Sequence, residues 1–243
     1  MEGINKLEIA KMIDHSLLHP TMDDKILKEG IELAMRCNVA SVCIKPYAVK
    51  MAADMLKDSE VMVGTVIGFP HGNSRIDVKV FETEKAIEDG AVEIDMVVNS
   101  GKVLSRDWDY VDAEIGAIAN VTKKQGAALK VIFENDFLPE DSDKIKLCEI
   151  CSKYKVEFIK TSTGYGFVKQ PDGSYNYKGA TVHDLKLMRQ HADPEVQVKA
   201  AGGVRTLEDT LKVRDLGVTR IGATATEAIL QAVRRGDKTG ISI

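Results

Sequence analysis

Four charged residues lie inside runs that otherwise read as buried strands: Asp95 in VEIDMVVN, Lys130 in LKVIFEN, Lys160 in EFIKTSTG and Lys199 in VQVKAAGG. A strand turns alternate side chains to opposite faces, and a charge on a buried face is unfavourable unless it is paired or used. Two uses are open. The four form a structural layer of salt bridges filling the interior, or they form a reactive centre with shifted proton affinities. Two lysines that face each other have a specific chemistry. Mutual repulsion and lost solvation lower an ammonium pKa, which leaves a neutral amine to attack a carbonyl and form a Schiff base. The protonated imine then accepts the electron pair of a neighbouring carbon–carbon bond. A nearby carboxylate, directly or through water, moves the protons this requires.

These residues need a scaffold that brings strand ends together. Short β-branched runs alternate with amphipathic stretches along the chain, the pattern of repeated βα units. The spacing predicts strands over Ala10–Leu17, Val39–Ile44, Val61–Ile67, Val92–Val98, Leu129–Phe133, Glu157–Lys160, Val196–Ala200 and Thr219–Gly222. Helices are predicted over Asp23–Cys37, Pro46–Lys57, Arg75–Asp89, Asp107–Gln125, Asp141–Lys155, Thr181–His191, Leu207–Leu216 and Thr226–Arg235. Asp141, Ser74 and Thr206 with Asp209 three residues on are the expected helix starts, and Gly90, Gly126 and Gly217 the expected stops. Eight βα units of about thirty residues fit an α/β fold, a closed (β/α)8 TIM barrel of one domain over residues 1–243. A doubly wound sheet would use fewer strands and a dinucleotide fingerprint that is missing here. The stretch Gly164–Ala180, GYGFVKQPDGSYNYKGA, breaks the rhythm after the sixth strand and falls on the face where barrels keep their active sites. As a lid over the mouth it would bring Lys169 and Lys178 to the site; as a surface insertion it would do neither.

Composition sets the outer limits. Hydrophobic residues make up 44% of the 243 and charged residues 29%, ample for a packed core. With 33 basic and 37 acidic residues the net charge is −4, so no general field gathers nucleic acid or anionic lipid. No apolar run approaches the roughly 18 residues of a membrane span. The opening MEGINKLEIAKMIDHS lacks a secretory layout, so the chain is predicted to be cytoplasmic with its four cysteines as thiols.

The strings MIDHSLL, GTVIGFPHG, EIDMVVNSGKV, LKVIFEN, FIKTSTGYG, VKAAGGVRTLED and TRIGATAT occur in the order and spacing of the deoxyribose-phosphate aldolase family, from about Met12 to Ala228. The sequence resembles that family on all seven. The resemblance implies a (β/α)8 barrel and a class I aldolase, a cofactor-free lyase cleaving 2-deoxyribose 5-phosphate to glyceraldehyde 3-phosphate and acetaldehyde. It further implies that Lys160 of KTSTG forms the Schiff base, that Lys199 of KAAGG lowers its pKa, and that Asp95 of EIDMV relays protons. Asp14 of MIDHS and Thr161 join the substrate site as polar members. Phosphate is expected at Gly202, Gly203, Gly222 and Thr224, where backbone N–H groups and a helix N-terminus favour an anion. The expected partner is a small sugar phosphate or aldehyde, with self-association left open. Two departures stand out. Most relatives carry adjacent serines where this chain reads Gly222-Ala223-Thr224-Ala225, and their loop after KTSTG is much shorter. The same chemistry on an unphosphorylated acceptor, or a sugar-phosphate-binding protein without turnover, are the rival readings.

Several other signals carry less. His15 and His19 are four apart and His71 follows Phe69-Pro70, but no further ligand lies at metal spacing, and no metal is expected. Cys148 and Cys151 form a CxxC in mid-helix without a second pair, which reads as core packing. Cys43 ends a strand near the mouth and reads as a small buried hydrophobe.

Overall fold

The computed structural model describes residues 4–235, and these form a closed barrel of eight parallel strands. The strands are β1 (Ile13–Leu17), β2 (Ser41–Ile44), β3 (Met62–Ile67), β4 (Glu93–Val97), β5 (Ala128–Ile132), β6 (Phe158–Lys160), β9 (Gln197–Ala201) and β10 (Val218–Ala223). The two remaining strands, β7 (Val168–Lys169) and β8 (Tyr175–Asn176), make a small antiparallel hairpin between β6 and β9. Around the barrel the order is β1-β10-β9-β6-β5-β4-β3-β2, so each strand pairs with its predecessor and β10 closes on β1.

Each predicted strand is present to within a few residues. The largest difference is at the start, where Lys6–Ala10 forms a short helix, α1, capped by the Asn5 side chain on the Leu7 N–H. This takes the front of the first predicted strand. The outer helices are α2 (Asp24–Cys37), α3 (Val49–Leu56), α4 (Ile76–Glu88), α6 (Trp108–Gln125), α7 (Asp141–Lys153), α8 (Val182–His191), α9 (Leu207–Asp215) and α10 (Thr226–Arg235). A further short helix, α5 (Ser100–Leu104), precedes α6. Thr206 and Asp209 form the expected capping box, but the starts placed at Asp141 and Ser74 are different. There the cap positions are Glu140 and Arg75, whose side chains make no cap hydrogen bond, so tertiary packing rather than capping fixes those ends. Gly90, Gly126 and Gly217 do end their helices, with φ of 107°, 72° and 88° that a side chain would resist.

The core lies mainly between strands and helices, with Ile13, Val42, Ile94, Val131, Ile159 and Val198 fully buried. The inside of the barrel is different. It holds charge as well as hydrocarbon, and at its mouth a small apolar cluster of Leu18, Cys43 and Val66 is covered by Phe69 and Tyr165.

Candidate active site

Register decides who meets whom. In the β6–β9 pair Lys160 is opposite Lys199, and in the β4–β5 pair Asp95 is opposite Lys130. Side chains of one face converge in a closed barrel, so four strands deliver all the charged residues singled out from the sequence to one place. Asp95 Oδ2 accepts from Lys160 Nζ at 2.8 Å and from Lys199 Nζ at 2.7 Å, and its Oδ1 lies 3.1 Å from Lys130 Nζ. Asp14 Oδ2 accepts from Lys199 at 2.5 Å and Lys130 at 2.9 Å, while its Oδ1 accepts from Ser41 Oγ at 2.7 Å and Arg220 at 2.6 Å. Glu93 completes the set, accepting from Lys130 at 2.5 Å and Arg220 at 2.9 Å.

Counting charges separates the lysines. Three carboxylates, Asp14, Glu93 and Asp95, face four cations, Lys130, Lys160, Lys199 and Arg220. A low-dielectric interior disfavours the surplus positive charge, and one neutral amine balances it. Lys130 touches all three carboxylates and Lys199 touches two, but Lys160 touches only Asp95. Burial pushes the Lys160 pKa below its ordinary value, Asp95 opposes this, and the Lys199 ammonium adds to the lowering. For Lys199 burial acts the same way, but Asp14 and Asp95 outweigh it and hold the pKa above its ordinary value. Lys130 is held well above the ordinary range, where Asp14, Asp95 and Glu93 overcome the effect of burial. Asp95 is itself held low: burial alone would raise it, but Lys130, Lys160 and Lys199 dominate. Lys160 is also the most accessible of the three lysines, its side chain 4% exposed against 1% for Lys199 and 0% for Lys130. The arrangement can offer one neutral amine at the barrel mouth while two cations and a carboxylate stay charged beside it.

The remaining predicted residues fall into two groups. Gly202 and Gly203 follow β9 with φ of 83° and 93°, a left-handed turn that glycine adopts without strain. Gly222 lies opposite Ala201, and a Cβ there would come within 3.7 Å of Lys199 Cε. Thr224 is exposed just ahead of α10, with no side-chain hydrogen bond among the described residues. These four share one corner of the mouth. Asp14 and Thr161 are deeper. Asp14 is fully buried beneath the lysines and occupied by four donors, so it organises the charges rather than facing a ligand. The Thr161 hydroxyl bonds to both the N–H and the C=O of Ala201 at 3.0 Å, clipping the ends of β6 and β9 together. Its neighbour Ser162 is buried, and its hydroxyl has no partner among the described residues.

His15 and His19 do not converge. His15 Nδ1 bonds to Thr226 Oγ1 at 2.9 Å, with burial pushing its pKa down to about 4, while His19 bonds to Thr21 at 2.7 Å. His71 is exposed. Asp141, His183 and Asp184 bring three ligand atoms together, but Lys144 Nζ already lies 2.7 Å from Asp184 and 3.2 Å from Asp141. Cys43, Cys148 and Cys151 are buried thiols. Burial pushes the Cys148 thiol up to about 12, as expected of core packing, and burial together with the Asp95 carboxylate, 4.0 Å from Sγ, pushes the Cys43 thiol up to about 11.

Three members of the charge cluster escaped the sequence reading: Glu93, Arg220 and Ser41. Glu93 carried a usable signal, since it is two residues before Asp95 and so shares its face. Arg220 had the same kind of signal in TRIGATAT, one charge inside a strand run. Ser41 acts through a contact 27 residues away, and no local pattern announces it.

Comparisons with known proteins give the family. The family profile described as DeoC/LacD family aldolase matches residues 8–232. A deoxyribose-phosphate aldolase of Rhodopirellula baltica is 50% identical over 228 residues, covering 94% of this chain and 90% of the relative. One of Clostridium perfringens is 45% identical, covering 94% and 96%. A solved deoxyribose phosphate aldolase from Aeropyrum pernix, described as having a unique tetrameric structure, superposes with a TM-score of 0.83 at 26% identity, covering 95% of this chain and 92% of that one. A closed parallel barrel with a buried lysine pair at its mouth, matched over nearly its whole length by such relatives, belongs to the DeoC/LacD family of aldolases.

Proposed function

We propose that this aldolase uses Lys160 as its Schiff-base nucleophile and cleaves 2-deoxyribose 5-phosphate reversibly to glyceraldehyde 3-phosphate and acetaldehyde. The opposite shifts of the two lysines carry the reading. Lys160 is driven toward the neutral amine while Lys199, on the same Asp95 oxygen, stays charged. The Lys160 amine adds to C1 of the open-chain aldehyde, and loss of water gives the iminium. The C3 hydroxyl gives up its proton, the C2–C3 electron pair moves into the iminium to form an enamine, and the three-carbon aldehyde departs. Protonation at C2 and hydrolysis of the iminium release acetaldehyde and restore the amine. Asp95, kept ionised by its cations, accepts and returns these protons through water, and Lys199 holds the local charge through the cycle. No step calls for a cofactor or a metal.

The phosphate is assigned to the corner formed by Gly202, Gly203, Gly222, Thr224 and the first turn of α10, where backbone donors carry most of the binding. Ala225 supplies no hydroxyl, which weakens but does not remove the site. The relatives' names support this substrate. A homo-oligomer in the cytoplasm is the assembly and setting we assign, the oligomer supported by the tetrameric Aeropyrum pernix relative. Borohydride reduction with acetaldehyde or deoxyribose 5-phosphate is the test. One adduct is expected on the peptide carrying Lys160, and an adduct on Lys199 overturns the assignment. Deoxyribose 5-phosphate should show a kcat/KM at least about tenfold above that of deoxyribose, the value of one bond to a charged group. Equal values would mean that the phosphate corner binds nothing.

A further inference from the structure

The turn after β5 places two carboxylates, Glu134 and Asp136, on one short 3-10 segment whose helical residues are Asn135–Phe137. Glu134 grips the start of the 164–180 insertion. Its carboxylate accepts from the Thr163 N–H at 3.3 Å and from the Thr163 hydroxyl, and that hydroxyl accepts from the Tyr165 N–H at 2.9 Å. Asp136 grips the end, accepting from the Lys178 N–H at 2.6 Å and the Gly179 N–H at 2.9 Å. Between these two holds the chain departs as the β7–β8 hairpin and returns.

The geometry around each grip is built closely. Glu134 is 1% exposed and adopts a left-handed backbone, φ 58°, which strains a non-glycine residue and persists where the surroundings enforce it. Gly166 passes so near that a Cβ there would come within 2.5 Å of Glu134 Cδ. At the other root the Ala180 N–H donates to the Gly202 carbonyl at 3.0 Å, and a Cβ on Gly202 would lie 3.3 Å from the Tyr177 ring. Two aromatic side chains are positioned as a result. Tyr165 reaches from the end of β6 across to Leu18, Cys43, Val66 and Phe69 on the far side of the mouth. Tyr177 covers the turn assigned to phosphate. Burial raises the Glu134 carboxyl above its ordinary range, and the hydrogen bonds from Thr163 oppose this only in part.

We propose that Glu134 and Asp136 act as a two-point clamp, positioning residues that fix the insertion over the barrel mouth and so set affinity for the phosphorylated end of the substrate. This rests on the sugar-phosphate reading above. Neither Glu134 nor Asp136 makes a hydrogen bond or ion pair with Lys160 among the described residues, so the clamp acts on how the substrate is held.

Glu134→Gln and Asp136→Asn, each with its thermal midpoint recorded, are the test. Each should raise KM for deoxyribose 5-phosphate about tenfold, since an ionised acceptor is lost, while kcat stays within about threefold. Trapping of saturating acetaldehyde on Lys160 should be unchanged, because that substrate has no phosphate. Amide hydrogen exchange should quicken at Thr163, Tyr165, Lys178 and Gly179 and stay slow in the barrel strands. Unchanged KM and unchanged exchange overturn the clamp. A fall in kcat and trapping at constant KM overturns it as well, by placing the residue in the chemistry. If the unaltered enzyme traps acetaldehyde but leaves deoxyribose 5-phosphate intact, the substrate reading fails; exchange then decides the clamp, and unchanged protection overturns it. Should Glu134→Gln not fold, the half-buried Asp136 and its variant decide the matter.

Discussion

Two of the buried charge clusters among the described residues are built differently, and only the one at the barrel centre is proposed to be reactive. Between α4 and α6, Lys79 and Glu114 form an ion pair at 2.7 Å with neither side chain exposed. All three ammonium hydrogens are used, since Lys79 Nζ also donates to the carbonyls of Gly72 at 2.6 Å and Val97 at 2.7 Å. Glu114 in turn accepts from the Asn99 N–H at 2.9 Å. The pair ties α4 and α6 to the loop after β3 and the end of β4. Burial lowers the Lys79 pKa, as it does that of Lys160, and Glu114 opposes it. A lowered proton affinity is therefore not enough to make a nucleophile. At the barrel centre four cations face three carboxylates, and the lysine with fewest partners is the most exposed of the three. Charge imbalance and access, added to burial, distinguish Lys160 from Lys79.

Removing each lysine should separate the two roles most sharply. Lys160→Ala is expected to reduce turnover on the order of 10⁴-fold or more with little change in folding stability, as loss of a nucleophile does. Lys79→Met should leave kcat within a few fold and lower the unfolding free energy by about 3–5 kcal/mol, because it strands a buried carboxylate. Steady-state kinetics beside urea unfolding of both variants checks this. Loss of kcat in a folded Lys79→Met protein would break the comparison. The double variant Lys79→Met with Glu114→Leu should recover much of that stability, since an apolar pair of similar volume replaces the ions without an orphan. Equal losses in single and double variants would show that the fixed loops, and not the charges, hold the region.

Lys199→Leu tests the source of the imbalance. Without its repulsion the Lys160 pKa rises, and a nucleophile that must be neutral then loses activity at a higher pH. The acidic limb of the pH–rate profile should move up by about one unit, roughly 1.4 kcal/mol. An unmoved limb removes Lys199 from the explanation. The smallest effect concerns acid stability. Asp14 and Asp95 have folded pKa values below their ordinary range, where burial is outweighed by their cations. Their stabilisation is complete above the ordinary carboxylate pKa and disappears as pH falls through the lower folded values. Urea unfolding should change by less than about 1 kcal/mol between about pH 7 and 5 and decline below about pH 4. A steep loss already near pH 6 would mean that these carboxylates are not the ones held by the cations.

Local pattern made much of this protein legible. Alternating β-branched runs placed all eight barrel strands, the Thr206–Asp209 box and the three stop glycines placed helix ends, and charges in apolar runs marked Asp95, Lys130, Lys160 and Lys199. Those features depend on neighbours a few residues away, so the sequence carries them directly. The insertion reads as structureless because a hairpin with two residues per strand has no period to detect.

What tertiary structure alone decided is partnership. Whether Lys160 or Lys199 is discharged depends on how many carboxylates each meets, and those come from β1 and β4, strands far apart in sequence. Asp14 reads as a site residue in MIDHS, yet closure of β10 on β1 brings Arg220 to it and turns it into the keystone of the buried charges. Glu134 has nothing in LKVIFEN to show that it holds Thr163. The proton affinity of a buried group is set by the few charges within several ångströms of it, and folding chooses those charges from anywhere in the chain.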